Sequence, residues 1–182
     1  ALDLGHPTMI EASSTELNDE TAPMAAMYHY EFPARGQRPA VDLFWYDGGL
    51  MPPRPDCLEP NRDLPRRGGL LIVGEEGAIL SGSWSESPRI IPERRMREYR
   101  QPPATIPRSQ GHHRDWIDAC KGGPPASSNF DYGGPLTEIA LLGIAALRTG
   151  ETLYWDGPNM RATNTSKAEP FVHGYFRKGW EI

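Results

Sequence analysis

Residues 23–32 read Pro-Met-Ala-Ala-Met-Tyr-His-Tyr-Glu-Phe. Met24, Ala26, Tyr28, Tyr30 and Phe32 fall at every second position, with Ala25, Met27, His29 and Glu31 between them. A period of two over so long a run predicts a strand with one apolar face and one mixed face. The pattern extends upstream to Thr8–Ser14, where Ile10 and Ala12 oppose Met9, Glu11 and Ser13. Downstream, Val41–Tyr46 sets Val41, Leu43 and Trp45 against Asp42, Phe44 and Tyr46. The connection over 33–38 (PARGQR) carries Gly36, which accepts positive φ at little cost. Alternating runs with short connections predict an antiparallel meander. Aromatic side chains on both faces predict that both meet protein, at least in part.

Beyond the meander the patterning changes. Residues 47–68 hold five prolines (Pro52, Pro53, Pro55, Pro60, Pro65) and read as a long loop, a class that is commonly functional or disordered. Gly69–Val73 reads as a buried strand, turning at Gly74–Gly77 into Ala78–Leu80 as a hairpin, with Arg89–Ile91 a further short strand. Pro92 suits the first position of a helix over Glu93–Tyr99. In a second helix, His112–Cys120, the residues His113, Trp116, Ile117 and Cys120 form one apolar stripe. A third helix, Pro135–Arg148, is apolar almost all round, which predicts packing on several sides, with Gly143 allowing close approach to a sheet. Thr152–Trp155 reads as a last strand and Ala168–Phe176 as a weak last helix. The architecture expected is α+β: a mostly antiparallel open sheet with helices gathered on one face.

Composition narrows the class. The 182 residues carry 19 Lys and Arg against 24 Asp and Glu, a net charge of −5. Nineteen glycines and nineteen prolines stay below the share that marks low complexity, so a collagen, coiled coil or disordered tail is excluded. The densest basic run, Pro92–Arg100, is broken by Glu93 and Glu98, so a solvated helix face is expected and no nucleic-acid partner. The longest apolar run, Ile139–Leu147, is too short for a membrane span. Cys57 and Cys120 match no metal spacing and are expected as free thiols, with a disulfide as the lesser alternative. The chain opens at Ala1 in what reads as mid-domain sequence, as a fragment or processed product would.

Standard catalytic motifs are absent: no dinucleotide fingerprint, no phosphate-binding loop, no nucleophile elbow and no zinc-type cluster. Four local groupings remain. Trp45-Tyr46-Asp47-Gly48-Gly49 sets two aromatic rings beside a carboxylate, which suits a sugar; Trp45 as core and Asp47 as a turn residue is the plainer alternative. Arg108 to His113 (RSQGHH) offers Arg108 for an anionic or hydroxyl-rich ligand and His112 and His113 for acid–base work. On the apolar stripe, His113 is expected first as a hydrogen-bonded core histidine and only second as a catalytic one, and Ser109 could equally be a helix-start residue. Asp131, in Asn129–Tyr132, favours a helix N-terminus electrostatically. Asp156, Asn159, Asn164 and Thr165 fit turn chemistry. None of these completes an active site.

A series of short segments runs in order along the chain: Glu31-Phe32-Pro33-Ala34-Arg35-Gly36, Trp45–Gly49, Val73-Gly74-Glu75-Glu76-Gly77, Ile106-Pro107-Arg108-Ser109, His113–Gly123 (HRDWIDACKGG), Ser128–Tyr132, Ala162-Thr163-Asn164 and Gly179-Trp180-Glu181. Taken together, they resemble the C-terminal domain of the Gfo/Idh/MocA oxidoreductase family. The resemblance spans essentially the whole chain and is strongest to a bacterial branch rich in exported members. It implies a two-domain enzyme whose N-terminal Rossmann domain, absent here, binds NAD or NADP. The C-terminal domain would resemble that of glyceraldehyde-3-phosphate dehydrogenase, closing the pocket for a sugar or polyol and forming a homo-oligomer through its sheet. A periplasmic or exported location is implied only by the branch.

The family's Glu-Lys-Pro and Asp-x-x-x-His motifs are not present; Asp3 and His6 have the wrong spacing, so no catalytic residue carries over. Substrate contacts are expected at Trp45, Tyr46, Asp47, Arg108, His112 and His113. The isolated chain is expected to bind no cofactor and to lack dehydrogenase activity. Two other readings stay open: a standalone carbohydrate-binding or self-associating module, and a hydrolase pairing Asp47 with His112.

Overall fold

The computed structural model describes residues 2–180. Two units divide them, residues 2–50 with 108–180 and residues 51–107. Glu181, which closes the last motif of the resemblance, lies outside the described residues.

The first unit is built on a five-stranded antiparallel sheet. Its strands are β1 (Met9–Ser14), β2 (Ala26–Phe32), β3 (Val41–Tyr46), β7 (Leu153–Asp156) and β8 (Arg161–Ala162), in the order β3-β2-β1-β7-β8. The registers set Tyr30 opposite both Ile10 and Leu43, Tyr28 opposite Trp45, and Ile10 opposite Leu153. Residues directly opposite share a face, so the alternation foreseen on each strand adds up across the sheet.

The 20-residue helix α3 (Phe130–Thr149) packs on one face. Leu142, Ala145, Ala146 and Leu147 meet Ile10, Tyr28, Tyr30, Phe32, Leu153 and Trp155 in one core. Asn129 caps the helix by accepting from the Tyr132 amide, and Gly150 ends it in the left-handed conformation. The helix starts five residues earlier than periodicity suggests, because this cap extends it through Gly133 and Gly134 ahead of Pro135.

Two helices depart from expectation. α3 is not packed on several sides: Leu141 and Ile144 are exposed opposite the buried stripe, and Leu136 is exposed nearer the helix N-terminus. The helix α2 (His112–Cys120) buries no residue, and its predicted stripe is open, with Trp116 65% exposed. Apolar periodicity reports a face suited to burial; it does not supply the partner that covers it.

The second unit holds β4 (Gly69–Gly74), β5 (Gly77–Gly82) and β6 (Arg89–Ile91) as a separate antiparallel sheet, followed by α1 (Glu93–Glu98). The Glu75-Glu76 turn joins β4 and β5 as expected. β4 is an edge strand with Leu70 and Val73 exposed, where a buried strand was expected. The proline-rich loop is structural: Leu58 is buried with Ala78, Leu80 and Ile91. Arg54 ties the loop by donating to the carbonyls of Glu59 and Arg62. Both cysteines are free thiols. Among the described residues no helix is long and apolar enough to cross a membrane.

Candidate functional site

The six residues singled out for substrate contact all belong to the first unit but do not converge. Pleating places Trp45 on the α3 side of the sheet, across from Tyr28, and Tyr46 on the other side, across from Met27. One ligand on one face cannot lie against both rings. Trp45 is not core, being 55% exposed at the end of the outer strand. Asp47 follows as a turn residue: its amide donates to the Ala26 carbonyl, and its Oδ1 accepts from Gly48 N at 2.7 Å. Gly48 is required there, since a Cβ would stand 2.0 Å from the Met24 carbonyl oxygen. The Asp47 charge, after burial, helps hold the Tyr28 phenol above its ordinary range.

Arg108, His112 and His113 are all exposed. His113 is therefore not the core histidine that its place on the stripe allowed. Among the described residues, no hydrogen bond or ion pair joins this trio to Trp45, Tyr46 or Asp47. The polar order around α2 centres instead on Asp115, which accepts from Ser109 Oγ at 2.7 Å and Ser127 Oγ at 2.8 Å. Those two hydroxyls hold the Asp115 carboxyl below its usual range. Asp115 thus ties the segment before the helix, through Ser109, to the loop that follows it, through Ser127. Asp156 and Asn159 form the turn expected of them, the Asp156 carboxylate accepting from both the amide and the side chain of Asn159.

Two shallow clefts border the sheet. One, of about 250 Å³, lies among Leu4, Phe32, Arg35, Arg38 and Val41. The other, of about 680 Å³, is lined in part by His6, Arg35, Trp155, Asp156 and Thr163. None of the six expected contact residues lines either one.

The larger cleft contains a group that sequence reasoning passed over. His6 Nδ1 lies 2.8 Å from Glu138 Oε1, and the Trp155 indole N–H donates to the same oxygen at 3.0 Å. A carboxylate only accepts, so it holds the proton on Nδ1 and leaves Nε2 as the acceptor of the neutral ring. His6 is thereby an oriented imidazole at the rim of a cleft, a group suited to a hydroxyl ligand or to proton transfer. Gly157 makes room for it, since a Cβ there would fall 2.2 Å from His6 Cγ. One signal was available: beyond the first turn of α3, Glu138 is the helix's sole acid, set in an apolar run.

The far face of the sheet carries the second uncovered surface. Phe44 and Tyr154 are about half exposed and Met27 is 37% exposed. His29 stacks on Phe44 with ring centres 4.3 Å apart, and its Nε2 lies 2.8 Å from Asp42 Oδ1. No protein-family model matches this chain, and no curated protein matches it significantly.

Proposed function

We propose that the chain is the substrate-facing and self-associating C-terminal domain of an NAD(P)-dependent sugar or polyol oxidoreductase of the Gfo/Idh/MocA type. The observation that carries this reading is the antiparallel sheet covered by a helix on one face and open on the other. An open sheet of this kind, with half-exposed aromatics, suits association with a second copy. The clefts at the sheet margin, with His6 and Arg35 on their walls, suit a hydroxyl-rich ligand. The motif series of the resemblance supports the same assignment. Hydride transfer then belongs to a nucleotide-binding domain that this chain does not contain, and NAD or NADP would be held there.

The test is kinetic and uses the full-length protein. NAD- or NADP-dependent turnover is measured over a panel of sugars and polyols. Alanine at Trp45, Tyr46, Asp47, Arg108, His112 and His113 is expected to raise KM or lower kcat for at least part of the set. Unchanged kinetics at all six rejects them as contacts. Absence of any dinucleotide-dependent turnover rejects the oxidoreductase assignment and leaves a binding module.

A further inference from the structure

We infer that the open face of the sheet holds a site for a first-row divalent cation of the zinc type, formed by His29, Glu31 and Asp42. Each residue offers one ligand atom, and these atoms all lie within 4.8 Å of one another. A tetrahedral ion with bonds of about 2.0–2.2 Å holds its ligand atoms about 3.3–3.6 Å apart. Small side-chain rotations of exposed carboxylates bridge that difference. One imidazole with two carboxylates and no thiolate suits zinc and its neighbours better than calcium or magnesium, which take oxygen ligands throughout.

The strand register gives a second, electrostatic reason. Glu31 stands directly opposite Asp42, and Glu11 directly opposite His29. Like charges opposed across a ladder repel. Neither Glu11 nor Glu31 makes an ion pair among the described residues, and this face of β1–β3 carries no Lys or Arg. Three carboxylates therefore surround one histidine with no fixed cation among them, and a bound dication would supply the missing positive charge. The ring is already positioned, since stacking on Phe44 holds its plane and the contact to Asp42 aims Nε2 at the carboxylates. Three protein ligands leave a fourth position for water or for an incoming group. This inference rests on the register and the side chains alone and stands apart from the oxidoreductase assignment.

The experiment is a calorimetric titration of the chain with ZnCl₂, followed in parallel by the ¹⁵N resonances of the histidine rings. One saturable zinc per chain is expected, with His29 Nε2 shifting most. His29→Ala, Asp42→Asn and Glu31→Gln are each expected to weaken binding by at least the roughly tenfold that loss of an outer partner costs. The double variant His112→Ala/His113→Ala is expected to leave it unchanged. Glu31→Gln is an exposed, near-isosteric change, so it decides the matter if His29→Ala fails to fold. No saturable uptake, uptake indifferent to Glu31→Gln and His29→Ala, or uptake lost with the α2 histidines would each overturn the site.

Discussion

Tyr30 and Gly143 meet across the sheet–helix interface so closely that a Cβ on Gly143 would stand 2.2 Å from the Tyr30 hydroxyl oxygen and 2.9 Å from Tyr28 Cδ1. Glycine in mid-helix costs about 1 kcal/mol relative to alanine, and here it leaves room for Tyr28 and Tyr30 of β2 against α3. Gly143→Ala is expected to destabilise the first unit by about 1–3 kcal/mol, because overpacking against rings fixed in a strand exceeds the gain in propensity. Denaturant midpoints compared at constant m-value read this directly; a more stable Gly143→Ala variant would contradict the packing.

Glu138 joins α3 to both His6 and Trp155, and Trp155 is 6% exposed. Glu138→Ala leaves a buried indole N–H without its acceptor, at an expected cost of about 1–3 kcal/mol. Glu138→Gln keeps an acceptor for Trp155 and is expected to cost less. Its signature is at His6, whose ring tautomer, followed by ¹⁵N resonances, is expected to lose its preference. An unchanged tautomer in Glu138→Gln would show that the carboxylate does not hold the ring.

In the second unit, hydrogen bonds from Arg89 pull the Glu59 carboxyl down to about 2, helped by the Glu93 amide. A carboxyl whose folded value lies below its ordinary 4.5 favours folding above that pH, and the benefit is lost as pH falls through 2. The unit is therefore expected to weaken progressively below pH 4.5, and Glu59→Gln to flatten that acid limb. Amide exchange in β5 between pH 6 and pH 3 measures it. An acid limb identical in Glu59→Gln and the parent chain would refute the assignment.

Self-association through the far sheet face predicts a mass above that of one chain in light scattering. Phe44→Glu, which adds a charge to an exposed aromatic position on the outer strand of that face, is expected to shift the chain toward the monomer. A parent chain that stays monomeric at all concentrations tested would remove this part of the proposal. The same preparation is expected to show no dinucleotide-dependent turnover.

The three strands of the meander, their facing residues and the Glu75-Glu76 hairpin were legible because period-two patterning and turn residues are local properties. The α+β class followed from them. Long-range pairing was not legible. That β7 joins β1, that residues 51–107 form their own small sheet, and that Leu58 leaves a proline-rich loop for a core depend on which distant segments meet.

The same boundary runs through the candidate site. That Trp45 and Tyr46 take opposite faces of β3 was legible in the alternation, and the register across to Tyr28 and Met27 bears it out. His6 and Glu138, or His29 and Asp42, are distant in sequence and adjacent in space. The amino-acid order by itself determined which residues alternate, turn and cap, because those choices cost or gain energy within a few residues. Only the tertiary structure decided which polar groups share a cleft and which apolar faces stay uncovered, because proximity in space follows from strand order and register.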